Sequence, residues 1–165
     1  MIRIVLFVSG LVLLLVVAAS AYVRLSDLPT DEWHVDPLTA PAAGSDNAFR
    51  AVPEEDQTVD AQLRTGIYPA SADAVAEALG EIALAEPGTR VLAATPGEAW
   101  VTYVQRSQVF GFPDLISVRV EESGEGGATV AIFSRARFGK SDMGVNERRV
   151  RRWLDGLERA VGRPE

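Results

Sequence analysis

The sequence predicts an α+β protein, in which an N-terminal transmembrane helix precedes a small two-layer domain made of a four-stranded antiparallel sheet and two helices. Three observations predict it. Residues 4–23 (IVLFVSGLVLLLVVAASAYV) carry no charge and, at about 1.5 Å of helical rise per residue, reach roughly 30 Å, the thickness of a bilayer's hydrocarbon core. Two later segments repeat apolar residues at helical spacing, and four short runs between them are rich in β-branched and aromatic residues. The expected order after the anchor is α-β-β-β-β-α, and covering one sheet face with both helices buries all the apolar stripes at once.

The leader begins with Met1-Ile2-Arg3, and Ala19-Ser20-Ala21 has the small-x-small form that signal peptidase accepts, so a cleaved signal peptide is the rival reading. The apolar run exceeds the usual signal core of about 7–15 residues, and Tyr22 supplies an interfacial aromatic beside Arg24. A retained anchor is therefore expected over residues 1–24, in contact with lipid through residues 4–23. It places the protein in the inner (cell) membrane as a single-pass chain with a periplasmic, extracytoplasmic C-terminal domain. Residues 25–69 follow as a tether rich in proline and acid, with no sustained period of 2 or 3.6. Large aromatics are wasted in a free linker, so Trp33, Phe49 and Tyr68 pin part of it to the domain.

The domain proper is expected over residues 70–161. Ser71 is a suitable N-cap with Asp73 in the first turn, and Val75, Ala78, Leu79 and Ile82 make one stripe before Pro87-Gly88 stops the helix. Residues 90–94 and 98–106 read as strands joined around Pro96-Gly97. In 115–121, Ile116, Val118 and Val120 alternate with Ser117 and Arg119, the pattern of a half-buried strand. A fourth strand at 128–134 follows the glycine-rich turn 123–127. A last helix opens at Met143 or Gly144, with Val150, Trp153, Leu154, Leu157 and Val161 in register.

Composition narrows the chemistry. There is no cysteine and one histidine, His34, which removes thiolate nucleophiles, disulfides and the common zinc sets, so neither metal nor cofactor is expected. The net charge of −7 gives no general attraction to nucleic acid. It is unevenly placed, because 11 of the 16 basic residues follow Trp100. The densest segment, residues 134–152, sets seven basic residues against Asp142 and Glu147 where a strand hands over to a helix, a place suited to an anion. Candidate ligand-binding residues are Arg106, Arg135, Arg137, Lys140, Ser141, Asn146 and Arg149. The alternative is structural: Asp142 caps the helix, Gly139 and Gly144 serve turn geometry, and the arginines pair with the acidic N-terminal part.

Catalytic motifs are incomplete. Gly139-Lys140-Ser141 imitates the end of a P-loop, but Ser134 stands where that pattern needs glycine. His34, Asp36 and Ser107 could be assembled into a triad, yet no nucleophile elbow is present, and Glu121 and Glu122 point to opposite strand faces. Phe110-Gly111-Phe112-Pro113-Asp114 suggests a tight apolar bend, across which Arg106 is expected to pair with Asp114.

At Arg106-Ser107, at Phe110-Gly111-Phe112-Pro113-Asp114 and above all at Ser134-Arg135-x-Arg137-x-Gly139-x-Ser141-Asp142-x-Gly144-Val145-Asn146-x-x-Arg149, the chain resembles the bacterial and plant family known as domain of unknown function 1499, over roughly residues 47–157. The resemblance implies signature positions at Arg106, Ser107, Asp114, Ser134, Arg135, Arg137, Gly139, Ser141, Asp142, Gly144, Asn146 and Arg149, and a setting in or beyond a membrane. It implies no activity. Family members often carry a Pro-Asn-Cys-Val-Ser-Ser-like segment where this chain has Asp46-Asn47-Ala48-Phe49, so any thiol-dependent role is lost here. Three functions follow as expectations: non-enzymatic binding of an envelope component, anionic in character, at the basic segment; a structural or assembly module of a membrane protein complex; and a hydrolase using Ser107 or Ser141.

Overall fold

The structure is a computed structural model describing residues 1–41, 46–94 and 100–165. An unbroken apolar run with no internal proline makes the helix α1 (Ile2–Leu25), with mean hydropathy 2.8 and none of its most apolar window buried against protein. Its length and composition fit a membrane span or a signal sequence. A single-turn helix, α2 (Thr30–Trp33), follows.

The sheet has six strands, not the four expected, and it is mixed rather than wholly antiparallel. Its order is β2-β1-β6-β5-β4-β3, built from β1 (Ala48–Pro53), β2 (Leu63–Thr65), β3 (Thr89–Ala94), β4 (Trp100–Arg106), β5 (Pro113–Glu122) and β6 (Ala128–Ala136). β1 and β2 pair in parallel, and the other neighbours are antiparallel. The two additional strands arise within residues 25–69. β1 is covered on both faces, so it shows no polar and apolar alternation, and β2 is three residues long; neither carries a readable period. The expected turn at Pro96-Gly97 lies outside the described residues.

The helices α3 (Ala72–Ala85) and α4 (Val145–Val161) lie against one face. Ser71 caps α3 by accepting from the Ala74 N–H. α4 buries Asn146, Arg149, Val150, Trp153, Leu154 and Leu157, a stripe at helical spacing. Trp153 is fully buried and meets Tyr103 edge to face, with ring centroids 5.7 Å apart. Gly156 permits the approach of the two helices, because a Cβ there would stand 3.2 Å from Cδ1 of Ile82. Phe49, Ala51, Ile116, Val118, Val130 and Ile132 complete this core from the sheet.

The second face is also covered. Residues 26–41 run across it as a strap, and Leu28 and Trp33 pack with Val104, Leu115 and Leu92 in a smaller apolar cluster. Ser117 and Thr102, expected to face solvent if that side were open, are both fully buried beneath the strap.

Candidate functional site

The signature residues divide between the two sheet faces, because β4, β5 and β6 alternate their side chains. On the helix side, Ser134 and Asp114 meet Asn146 and Arg149, which α4 presents one turn apart. Arg149, 2% exposed, donates to Asp114 Oδ2 at 2.6 Å, to Gln105 Oε1 at 2.7 Å, to Ser134 Oγ at 3.0 Å and to Asn146 Oδ1 at 2.6 Å. Asn146 Nδ2 donates in turn to the Asn47 carbonyl at 3.0 Å and to Asp142 Oδ2 at 2.6 Å. Each donor and acceptor has a partner, as a buried polar cluster requires. Burial pushes the Asp114 carboxyl above its ordinary range even though Arg149 opposes the shift. The expected Arg106–Asp114 pair does not form: these side chains lie on opposite faces, and Asp114 belongs to Arg149.

Asp142 occupies the start of α4, accepting from the backbone N–H of Gly144 and of Asn146, both at 2.8 Å. Those N–H groups are the ones an anion would use, and a side chain of the protein already satisfies them. Gly144 takes φ +75 at the N-cap and Gly139 takes φ +94 in the preceding loop, values that suit glycine. Lys140 and Ser141 are exposed, and Ser141 Oγ accepts from the Met143 N–H at 3.3 Å.

On the strap side the arginines bind backbone. Arg135 donates to the Trp33 carbonyl at 2.8 Å, Arg137 to the Asp27 carbonyl, and Arg50 to the Ala40 and Pro41 carbonyls at 2.8 and 2.9 Å. Aromatic faces complete their surroundings: Arg50 stands 4.1 Å and Arg135 4.9 Å from the Phe133 ring centroid, and Arg135 5.4 Å from that of Trp33. Burial lowers the Arg135 pKa to about 10, with repulsion from Arg50 adding to it. Arg119 forms the one ion pair of the strap among the described residues, with Asp36, and bonding to Glu121 and Asp36 raises its pKa. His34 Nδ1 meets Thr102 Oγ1 at 2.8 Å, and Thr102 meets Ser117 at 3.1 Å. His34 and Asp36 are thus engaged with the sheet, while Ser107 lies in the β4–β5 loop, donating its N–H to the Phe112 carbonyl and accepting the Phe112 N–H on Oγ. The triad does not assemble.

A third group stands where α1 meets the β4–β5 loop, residues 107–112. Ser20 Oγ donates to the Phe110 carbonyl at 3.2 Å, Arg24 to the Gln108 and Val109 carbonyls at 3.0 and 2.9 Å, and Arg106 to the Val23 and Gly111 carbonyls at 3.1 and 2.9 Å. Gly111 has φ +76, and a Cβ there would fall 2.4 Å from Cγ of Arg24. Phe110 and Phe112 are exposed, with Phe138 beside Phe112 at 6.1 Å between centroids.

Of the residues singled out from sequence, Ser134, Asp114, Asn146, Asp142 and Arg149 come together on one side, while Arg135, Arg137 and Arg106 stand apart on the other. Arg24, Arg50 and Arg119 share the strap and loop roles but were missed. Their signal lies in position: Arg50 sits between Phe49 and Ala51 in a segment too apolar for a free linker. No group of His, Asp and Glu suited to a metal ion occurs among the described residues.

Fold and site together define a mixed α+β domain, led by an apolar helix, whose arginines fasten its own layers. The chain belongs to the family described as protein of unknown function (DUF1499), which it matches over residues 36–157. No curated protein and no solved structure matches it.

Proposed function

We propose that the protein is a membrane-anchored, extracytoplasmic module that works by docking in an assembly rather than by catalysis. The observation that carries this reading is the joint between α1 and the domain. Ser20, Val23 and Arg24, all at the end of the apolar helix, hydrogen-bond to the β4–β5 loop and to Arg106. Signal cleavage after Ala21 would remove Ser20 and the helix that positions Arg24. A retained helix makes the domain a rigid extension of its anchor, which suits a part that presents a surface at a set height above the bilayer.

The engagement of the candidate ligand residues supports docking over anion binding. Arg106, Arg135, Arg137, Asn146 and Arg149 all donate to groups inside the protein, although Nη1 of Arg135 is buried without a partner among the described residues, and Lys140 and Ser141 are the exposed members of that set. An envelope anion would therefore be met by a small part of the basic segment.

Mass spectrometry of the protein purified from membranes tests the reading. The expected result is an intact N-terminus in a fraction that resists alkaline extraction, with a phosphatase fused to the domain active outside the cytoplasm. A mature chain beginning at Tyr22 in a soluble fraction would overturn it, and so would covalent labelling of Ser107 or Ser141 by a serine-reactive probe.

A further inference from the structure

We infer that the β4–β5 loop is a second membrane contact, which dips Val109 and Phe110 into the bilayer beside α1. This rests on the proposal that α1 is a retained span, and it adds a site to it. Val109 and Phe110 border a cleft whose other wall is Val16, Val17, Ser20, Ala21 and Arg24 of α1. Along a helix, Ser20 lies about 6 Å and Val17 about 10 Å below Arg24. Side chains level with them reach the depth of roughly 5–10 Å at which interfacial elements bury their apolar faces.

The loop has the apolar surface that such a position demands. Val109 is 74% exposed, Phe110 46% and Phe112 43%, and no part of the domain covers them. Phe110, Phe112 and Phe138 form a chain of rings with centroids 6.0 and 6.1 Å apart. Exposed side chains of this kind cost free energy in water and are favoured at the boundary of acyl chains and headgroups.

The backbone supplies an independent argument. Irregular chain at membrane depth is tolerated only where its polar groups find partners within the protein. Every carbonyl from Ser107 to Phe112 does, whereas the N–H groups of Gln108, Val109 and Phe110 bond to no group of the protein among the described residues and are left to the hydrated headgroup boundary. Ser107 O accepts from Gly111 N, Gln108 O and Val109 O from Arg24, Phe110 O from Ser20, Gly111 O from Arg106, and Phe112 O from Ser107 N. A solvent-exposed loop has water for these groups and no need to use two arginines and a helix serine. The occupant of the cleft mouth is accordingly lipid, continuous with the lipid around α1.

The chain has no cysteine, so single reporters can be placed at will. Full-length Phe110→Cys, Val109→Cys, Leu14→Cys and Glu125→Cys proteins, each carrying an environment-sensitive fluorophore, would be reconstituted in phosphatidylcholine–phosphatidylglycerol vesicles. Quenching by a lipid-borne spin label would then be compared with quenching by aqueous iodide. Leu14 reports the span and Glu125 the turn at the far end of the sheet. The expected result is severalfold stronger lipid-side quenching at 109, 110 and 14, with iodide acting only at 125. Iodide quenching at both 109 and 110, with Leu14 quenched from the lipid, would overturn the loop contact and leave the anchor standing. Iodide quenching at Leu14 would overturn the span, and the loop contact with it.

Discussion

The two faces of the sheet hold buried arginines in opposite ways. On the helix side Arg149 has a carboxylate, two amides and a hydroxyl, all from side chains fixed by α4 and the central strands. On the strap side Arg50, 4% exposed, and Arg135 have backbone carbonyls and the Phe133 ring, with no carboxylate in hydrogen-bond contact among the described residues. The first arrangement ties together elements that form the core. The second ties on a segment with little regular structure, whose carbonyls would otherwise need water. The difference teaches that one residue type can serve as keystone on one face and as fastener on the other.

The contrast can be broken most severely at Arg149. Arg149→Leu leaves the Asp114 carboxylate buried without its cation and Ser134, Asn146 and Gln105 short of a donor. The expected loss is about 3–5 kcal/mol, read as a shift of the denaturation midpoint in detergent. Arg50→Ala removes the bonds to Ala40 and Pro41 and should cost about 2 kcal/mol. It should also raise amide exchange and protease cutting within residues 26–41 while α4 stays protected; equal loosening of both would erase the distinction between the faces. His34→Ala removes one bond to Thr102 and is expected to cost roughly 1 kcal/mol, again confined to the strap.

The smallest effect is in pH dependence. Because burial raises the Asp114 pKa in the folded protein, its favourable contribution is fully present below the ordinary aspartate value near 4 and is lost as pH rises through the raised value. Wild type should therefore lose stability relative to Asp114→Asn from about pH 4 upward. A difference that stays flat with pH would show that Arg149 holds the carboxyl at its ordinary value.

Much of the helix side was legible from the sequence. The stripe Val150, Trp153, Leu154, Leu157 has one spatial meaning, and the Ser71 cap with Val75 and Leu79 marks α3 as plainly. The strap side was not legible, because its order comes from tertiary contacts. Trp33 signals docking, yet nothing local tells that Arg135 waits for its carbonyl a hundred residues away. β1 was hidden for a related reason: a strand covered on both faces, with Arg50 among its buried residues, has no alternation to read. In the candidate site, the linear run from Ser134 to Arg149 suggested one surface, whereas strand pleating sends Arg135 and Ser134 to opposite sides.

Gly111 brings the loop so near Arg24 that a single methyl group would part them. Such a joint has no swivel. With α1 retained as the span proposed above, turning the helix about its long axis would swing the entire domain through the same azimuth, and whatever grips the outer side chains of α1 would also decide which way the domain is aimed.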